Sequence, residues 1–201
     1  MTMRSQPFGL GEAVPWFRTR SLSGPDNYAF DAAGGRAVLM LLYGSAGQES
    51  CAAALARVMA RRDLFDDVQA AFYGVSVDPE DERSGRIKMQ LPGIRFLLDY
   101  DQKVSRAFGA IDPANGQYRP HWLVLDRSLR VVTLHGINDG EAALASLTAL
   151  VAAEPAPDWA PAVMVPNVIE PAMCRKLVAL YEANGGKPSG VMREVEGKTR
   201  A

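Results

Sequence analysis

The amino-acid sequence predicts an α/β protein in which a central mixed sheet is flanked by helices. Two observations predict this class. Short apolar runs of strand length alternate with amphipathic helical segments, and a hairpin followed by a last helix closes the alternation. With 201 residues, of which 48% are hydrophobic and 22% charged, the chain is long enough for one main core and a second small unit.

The first strand and the first helix flank a turn that precedes a cysteine. The apolar stretch GRAVLMLLY, residues 35–43, is bounded by glycines and predicts a buried strand. After the turn, apolar residues recur at helical spacing, namely at Leu55, Val58 and Met59. Ser45 and Gln48 stand at capping-box spacing, which predicts that this helix begins near Ala46, with Cys51 close to its start.

The remaining elements of this unit follow in the order strand, helix, strand, helix, hairpin and helix. Their predicted positions are 70–78, within 79–90, 94–100, 101–110, 121–135 and 139–153. The acidic run PEDE, residues 79–82, is expected to be a solvated helix start, because the helix dipole favours negative charge there.

A proline-rich segment predicts a domain boundary. The stretch EPAPDWAPA, residues 154–162, is typical of a linker and separates a domain of residues 1–153 from a short α/β appendage of residues 163–201. The appendage is expected to contain a short strand and a helix that begins near Pro171 and ends at Gly185.

Composition and charge argue against several function classes. A net charge of −1 gives no electrostatic footprint for nucleic acid, and the longest apolar run, Ala37–Tyr43, is far too short to span a membrane. The N-terminus lacks the pattern of a signal peptide, and two cysteines do not make a disulfide framework, so a cytoplasmic protein is expected. No residues stand at metal-ligand spacing, so we expect neither a metal ion nor another cofactor.

Five stretches, taken together and in order, resemble the peroxiredoxin (AhpC/TSA) branch of the thioredoxin fold. They are GEAVPWF, LLYGSAGQESCAAAL, GVSVDPEDE, FLLDYDQKVSRAFGA and LVLDRSLRVV, and the resemblance covers about residues 8–151. It implies a thioredoxin-like fold and the reduction of a peroxide by a cysteine thiolate, which becomes a sulfenic acid. Cys51 stands at the position of the family's peroxide-attacking cysteine. Members often form homodimers, so the resemblance alone also implies a homodimer.

The local sequence around Cys51 both supports and departs from this chemistry. A cysteine in the first helical turn lies near the positive end of the helix dipole and near unpaired N–H groups, which favour the thiolate. The family's motif is P-x-x-x-T-x-x-C, and here Gly44 and Gln48 replace its proline and its threonine. Gln48 offers an amide donor and a carbonyl acceptor, whereas the charge of Glu49 opposes ionisation.

A second departure lies ahead of the predicted hairpin. The family places an arginine six residues before the aspartate that ends the hairpin's first strand, here Asp126, and this chain has Pro120 at that position. Arg119, one residue earlier, is the residue expected to reach the sulfur. A proline at this place resembles thioredoxin-type relatives, in which it is cis and faces the active cysteine, so the Arg119–Pro120 bond is predicted to be cis.

The resemblance therefore leads to two functions. The first is a thiol peroxidase that uses Cys51 and an external thiol, because Cys174 lies on the apolar side of its helix and is expected to pack rather than react. The alternative, motivated by the lost threonine and arginine, is a catalytically degenerate module that senses redox state or docks to a partner. Dithiol–disulfide exchange within one motif is excluded, because QESC lacks the first cysteine of a C-x-x-C pair.

The C-terminal residues 163–201 carry a second resemblance. The stretch VMVPNVIEPAMCRKLVALYE is similar to the N-terminal segment of prolyl-hydroxylase-type iron and 2-oxoglutarate dioxygenases. The H-x-D…H iron ligands of that family do not occur in this sequence. The resemblance thus implies a truncated start of such a domain, and in the alternative function the first domain would regulate an attached dioxygenase.

Overall fold

The chain divides into two compact units, Met1–Glu154 and Pro155–Ala201. The structure is a computed structural model, and it describes residues 6–153, 168–186, 193–195 and 198–200. The predicted linker, residues 154–162, and the segment with the predicted strand after it lie outside the described residues.

The first unit is built on a seven-stranded mixed sheet. Its strands are β1 (Arg18–Ser21), β2 (Tyr28–Ala29), β3 (Ala37–Gly44), β4 (Ala70–Ser76), β5 (Ile94–Leu98), β6 (His121–Leu125) and β7 (Val131–Gly136). They lie in the order β2-β1-β5-β4-β3-β6-β7. Strand β4 pairs in parallel with β3 and β5, and the other pairs are antiparallel. The mixed sheet and the β6–β7 hairpin confirm the fold class that the sequence predicts.

Helices cover both faces of this sheet. They are α1 (Glu49–Ala60), α2 (Pro79–Arg83), α3 (Lys103–Ala107) and α4 (Gly140–Ala152), with short 3-10 turns at Phe30–Ala33, Arg62–Leu64 and Ile137–Asp139. Leu39 and Leu41 of β3 pack in one core cluster, which includes Val58 of α1. Val38 and Met40 point to the other cluster. Every residue of β3 and β4 is therefore buried, which explains their unbroken apolar sequences.

Helix α1 begins at Glu49 and not near Ala46, which corrects the capping-box prediction. The Ser45 hydroxyl does not cap the helix, because it donates to Oδ2 of Asp78 at 2.6 Å and accepts from the Gly47 N–H at 3.1 Å. Gln48 is the N-cap residue, without a capping bond from its side chain. Cys51 consequently lies in the first turn.

The second unit contains a helix and a pair of antiparallel strands. They are α5 (Pro171–Asn184), β8 (Arg193–Val195) and β9 (Lys198–Arg200). The predicted start at Pro171 and end at Gly185 are confirmed, and Gly185 has a φ of +66°. Cys174 is exposed, and the linker against which it is predicted to pack lies outside the described residues. Within the parts of the chain that the structure describes, no helix combines the length and apolarity needed to cross a membrane.

Candidate active site

Cys51 lies where the carboxyl end of β3 meets the start of α1. Its side chain is buried, with 0% exposure. The thiol donates to the carbonyl oxygen of Tyr43 at 3.1 Å, and its sulfur lies 3.8 Å from Oε1 of Gln48 and 4.0 Å from the Ser50 hydroxyl. The structure thus places Gln48 and the turn at Gly44 beside Cys51.

The surroundings of Cys51 favour the neutral thiol. Burial raises the pKa of Cys51, the hydrogen bond with Ser50 lowers it, and the negative charge of Asp81 raises it again, with a net rise above the ordinary value. The bond to the Tyr43 carbonyl also requires the proton on sulfur. The direction is opposite to the lowering expected from the helix start, and burial is the largest cause of the rise.

We expect the alkylation rate of Cys51 to rise with pH beyond the ordinary range of a cysteine. The thiolate is the reacting form, so below its pKa the rate grows about tenfold per pH unit. Because the pKa is raised, the midpoint is expected above about 8.5, the ordinary value. Iodoacetamide kinetics between neutral and alkaline pH, followed by intact mass in the Cys174→Ser background, measure this midpoint. A midpoint below the ordinary value would contradict the described environment.

Asp81 holds the loop that precedes Cys51, and sequence reasoning missed it. Its side chain has 0% exposure, and its two oxygens accept from the Ala46 N–H at 3.1 and 3.0 Å. It also accepts from the Ser76 hydroxyl at 2.6 Å, and Arg86 pairs with it at 3.4 Å. The prediction that the run 79–82 is solvated is wrong for this residue.

A signal for the role of Asp81 is present in the sequence. Asp78 caps α2 and Pro79 is the first helical residue, so Asp81 is the third. Side chains of a helix tilt toward its N-terminus, which here directs Asp81 back to the end of β4. The pattern D-P-x-D after a buried strand therefore indicates an acid at the sheet edge, not in solvent.

Arg119 is not brought to Cys51. Its guanidinium pairs with Asp112, and its backbone N–H donates to the Ala110 carbonyl at 2.7 Å. With Pro120 and His121 it lines a cavity of about 200 Å³ that also borders on Asp112 and that Cys51 does not line. The residue predicted to replace the family's arginine is thus engaged elsewhere.

The Arg119–Pro120 bond is trans, which corrects the predicted cis bond. The cis peptide bond among the described residues joins Leu91 and Pro92. Ahead of Pro120, an antiparallel bridge joins Ile111 and Tyr118 on either side of a turn. Trans is the favoured isomer of an X–Pro bond, and this hairpin-like segment is compatible with it.

Known proteins resemble this chain in sequence and in fold. The sequence model of the AhpC/TSA family matches residues 10–133. A search of curated proteins finds no match. Peroxidoxin BcpB from Mycobacterium tuberculosis has a similar structure, with a TM-score of 0.59 and 19% identity over 70% of this chain and 97% of that chain. AhpC from Mycobacterium tuberculosis also has a similar structure, with a TM-score of 0.59 and 18% identity over 73% of this chain and 95% of that chain.

A third similar structure is a yeast mitochondrial 1-Cys peroxiredoxin, whose thiol resolving mechanism is described as working via glutathione/thioredoxin systems. It has a TM-score of 0.54 and 14% identity, over 64% of this chain and 67% of that chain. At such identities the likeness establishes the fold alone. It confirms the thioredoxin-like fold that the resemblance implies.

Proposed function

Because the chain belongs to the AhpC/TSA family, we propose that it is a thiol-dependent peroxidase in which Cys51 is the nucleophile. The observation that carries this proposal is the placement of Cys51 in the first turn of α1, with Gln48 beside the sulfur at 3.8 Å. The thiol is free and its neighbours are a polar side chain and the start of a helix, which suits a nucleophile better than a purely apolar site does.

The proposed peroxidase reaction has three steps. The Cys51 thiolate attacks the distal oxygen of a peroxide, so that an S–O bond forms, the O–O bond breaks, and water or an alcohol leaves after taking a proton. An external thiol then attacks the sulfenic sulfur, which releases water and leaves a mixed disulfide. A second molecule of that thiol frees Cys51 and departs as the oxidised disulfide of the reductant.

Groups at the start of α1 would stabilise the charge that develops on the peroxide. The first intrahelical bond runs from the Ala52 N–H to the Gln48 carbonyl, so the N–H groups of Glu49, Ser50 and Cys51 have no acceptor within the helix. Together with the Gln48 amide they are donors for a polarised oxygen. Arg119 receives no step, because it pairs with Asp112.

The proposed partners are a peroxide and an external thiol. The one-cysteine mechanism assigns no step to Cys174, which lies in the second unit and is exposed. A thiol reductant of the kind described for the yeast relative would serve. Free thiols suit the reducing cytoplasm, which we propose as the compartment. A homodimer remains an expectation from the family.

A steady-state assay with hydrogen peroxide and dithiothreitol tests this function. Wild type is expected to consume peroxide slowly at neutral pH and faster as pH rises, because the raised pKa of Cys51 leaves little thiolate. Cys51→Ser is expected to fall to the background rate, and Cys174→Ser is expected to keep the wild-type rate. Equal rates for wild type and Cys51→Ser would contradict the proposal.

A second candidate function is supported by two observations at the same site. Burial raises the pKa of Cys51, and the Arg119 guanidinium is held by Asp112 rather than by the sulfur. Both suit a degenerate redoxin module that docks to or regulates a partner, including a dioxygenase attached at the C-terminal segment. In that case wild type and Cys51→Ser have equal, background peroxidase rates while the folded domain still binds its partner.

A further inference from the structure

The cavity beside Arg119 lies on the other side of the sheet from Cys51. It has a volume of about 200 Å³ and is formed by the segment around residues 108–121 together with Leu134 of β7. Phe108, one of its lining residues, belongs to one core cluster and Cys51 to the other, and these clusters occupy opposite faces of β3. The proposed peroxidase reaction therefore makes no use of this cavity.

The walls of the cavity are mostly apolar. The apolar lining residues are Pro7, Phe108, Ile111, Pro113, Pro120 and Leu134. Leu134 is 37% exposed on an edge strand of the sheet, so an apolar side chain stays open to the cavity. A cavity of about 150 Å³ with walls of this kind holds one benzene molecule. The volume here thus suits a single ring or a short alkyl chain that carries one polar group.

Arg119 supplies the cavity with hydrogen-bond donors that are not in use. A guanidinium has five N–H donors, and Asp112 accepts from one of the donors of Arg119. The Arg119 side chain is 63% exposed, and among the described residues no other partner of its guanidinium is found. The remaining donors are open to a ligand.

The other two titratable side chains of the cavity are engaged within the protein. Asp112 is 8% exposed, and its carboxylate accepts from the Ala114 N–H at 2.9 Å as well as from Arg119. Nδ1 of His121 lies 3.0 Å from the Arg119 carbonyl, to which it donates, and its Nε2 atom is buried. The open group is therefore a cationic donor, and an anionic acceptor is the ligand group that complements it.

We propose that this cavity binds a small carboxylate with an apolar body. The carboxylate pairs with Arg119, whose planar fork matches its two oxygens, and the body packs against Phe108, Ile111 and Leu134. This site is separate from Cys51 and does not depend on the proposed peroxidase chemistry.

Titration of the full-length, ¹⁵N-labelled protein with phenylacetate, followed by amide chemical shifts, tests the site and its position. Binding with a Kd on the order of 1 mM or tighter is expected, with the largest shifts between residues 108 and 121 and at Leu134. Phenylacetamide, which lacks the charge, and acetate, which lacks the ring, are each expected to bind about tenfold more weakly. Equal affinity for phenylacetate and phenylacetamide would overturn the assignment of a carboxylate.

Two variants change the two halves of the site separately. Arg119→Gln removes the cation, and Leu134→Glu places a negative charge at the apolar wall while it keeps the pair of Arg119 and Asp112. Each is expected to weaken phenylacetate binding about tenfold. Arg127→Gln, which removes an exposed arginine outside the cavity, is the matched control and is expected to bind as wild type does.

The contradicting results are specific. The proposal is overturned if phenylacetate leaves the amides of the cavity unshifted, or if Arg119→Gln and Leu134→Glu both bind it as tightly as Arg127→Gln does. Should Arg119→Gln lack a cooperative unfolding transition, Leu134→Glu carries the test alone, and wild-type affinity in that variant overturns the proposal.

Discussion

Replacing Asp81 by alanine is expected to lower the free energy of unfolding by about 3 kcal/mol. The carboxylate has 0% exposure and accepts from the Ala46 N–H and the Ser76 hydroxyl. Truncation leaves these donors and the Arg86 guanidinium without their buried acceptor, and each unpaired polar group carries its full desolvation cost. The loop between β3 and α1 loses its main anchor in the same step.

Denaturant unfolding, followed by circular dichroism, measures this loss. Asp81→Asn keeps one oxygen that accepts from Ala46, so it is expected to lose less than Asp81→Ala. Glu80→Ala is the matched control, because it removes a neighbouring acid whose side chain is 48% exposed and whose ion pair is at the surface. If Asp81→Ala were no less stable than Glu80→Ala, the anchoring role of Asp81 would be contradicted.

Comparing Asp81→Ala with Asp81→Asn distinguishes the role of Asp81 as a hydrogen-bond acceptor from the effect of its negative charge on Cys51. The negative charge of Asp81 is one cause of the raised pKa of Cys51. Asp81→Asn removes that charge while keeping an acceptor, so the alkylation midpoint of Cys51 is expected to move to lower pH. An unchanged midpoint in a folded Asp81→Asn would show that the charge of Asp81 does not raise the pKa of Cys51.

The fold follows from features that are local in the sequence. The unbroken apolar runs of β3 and β4 and the hairpin β6–β7 are readable because strands buried on two faces and paired by short turns leave clear patterns. The first residue of α1 cannot be predicted from such a local pattern. Ser45 suits a cap, but Asp78, 33 residues further on, takes its hydroxyl.

The site depends on contacts between segments that are distant in sequence. Cys51 and Gln48 are predicted because residues three positions apart at one helix start lie close together. Arg119 is misassigned because its pairing with Asp112 is set by the segment around the Ile111–Tyr118 bridge, which an alignment to a motif does not reveal. The contact between Tyr118 and Gly44 depends on the positive φ of Gly44. A glycine can adopt a positive or a negative φ, so its presence in the sequence does not predict which one occurs.

Wild type is expected to form a sulfenic acid on Cys51 when it meets peroxide, and Cys51→Ser is expected to form none. The thiolate, although disfavoured by burial, is the species that attacks peroxide, and its share grows as pH rises. The sulfenic acid is trapped by dimedone, which reacts with that oxidation state and not with the thiol. Cys174→Ser serves as the matched control, since it retains the proposed nucleophile.

The most direct measurement is intact mass after one equivalent of hydrogen peroxide with dimedone present, at neutral and at alkaline pH. We predict one adduct per chain in wild type and in Cys174→Ser, located on Cys51 by peptide mapping and formed faster at alkaline pH. Cys51→Ser is predicted to carry none. A folded wild-type protein that forms no adduct on Cys51 at either pH would contradict its role as a peroxide-attacking thiol.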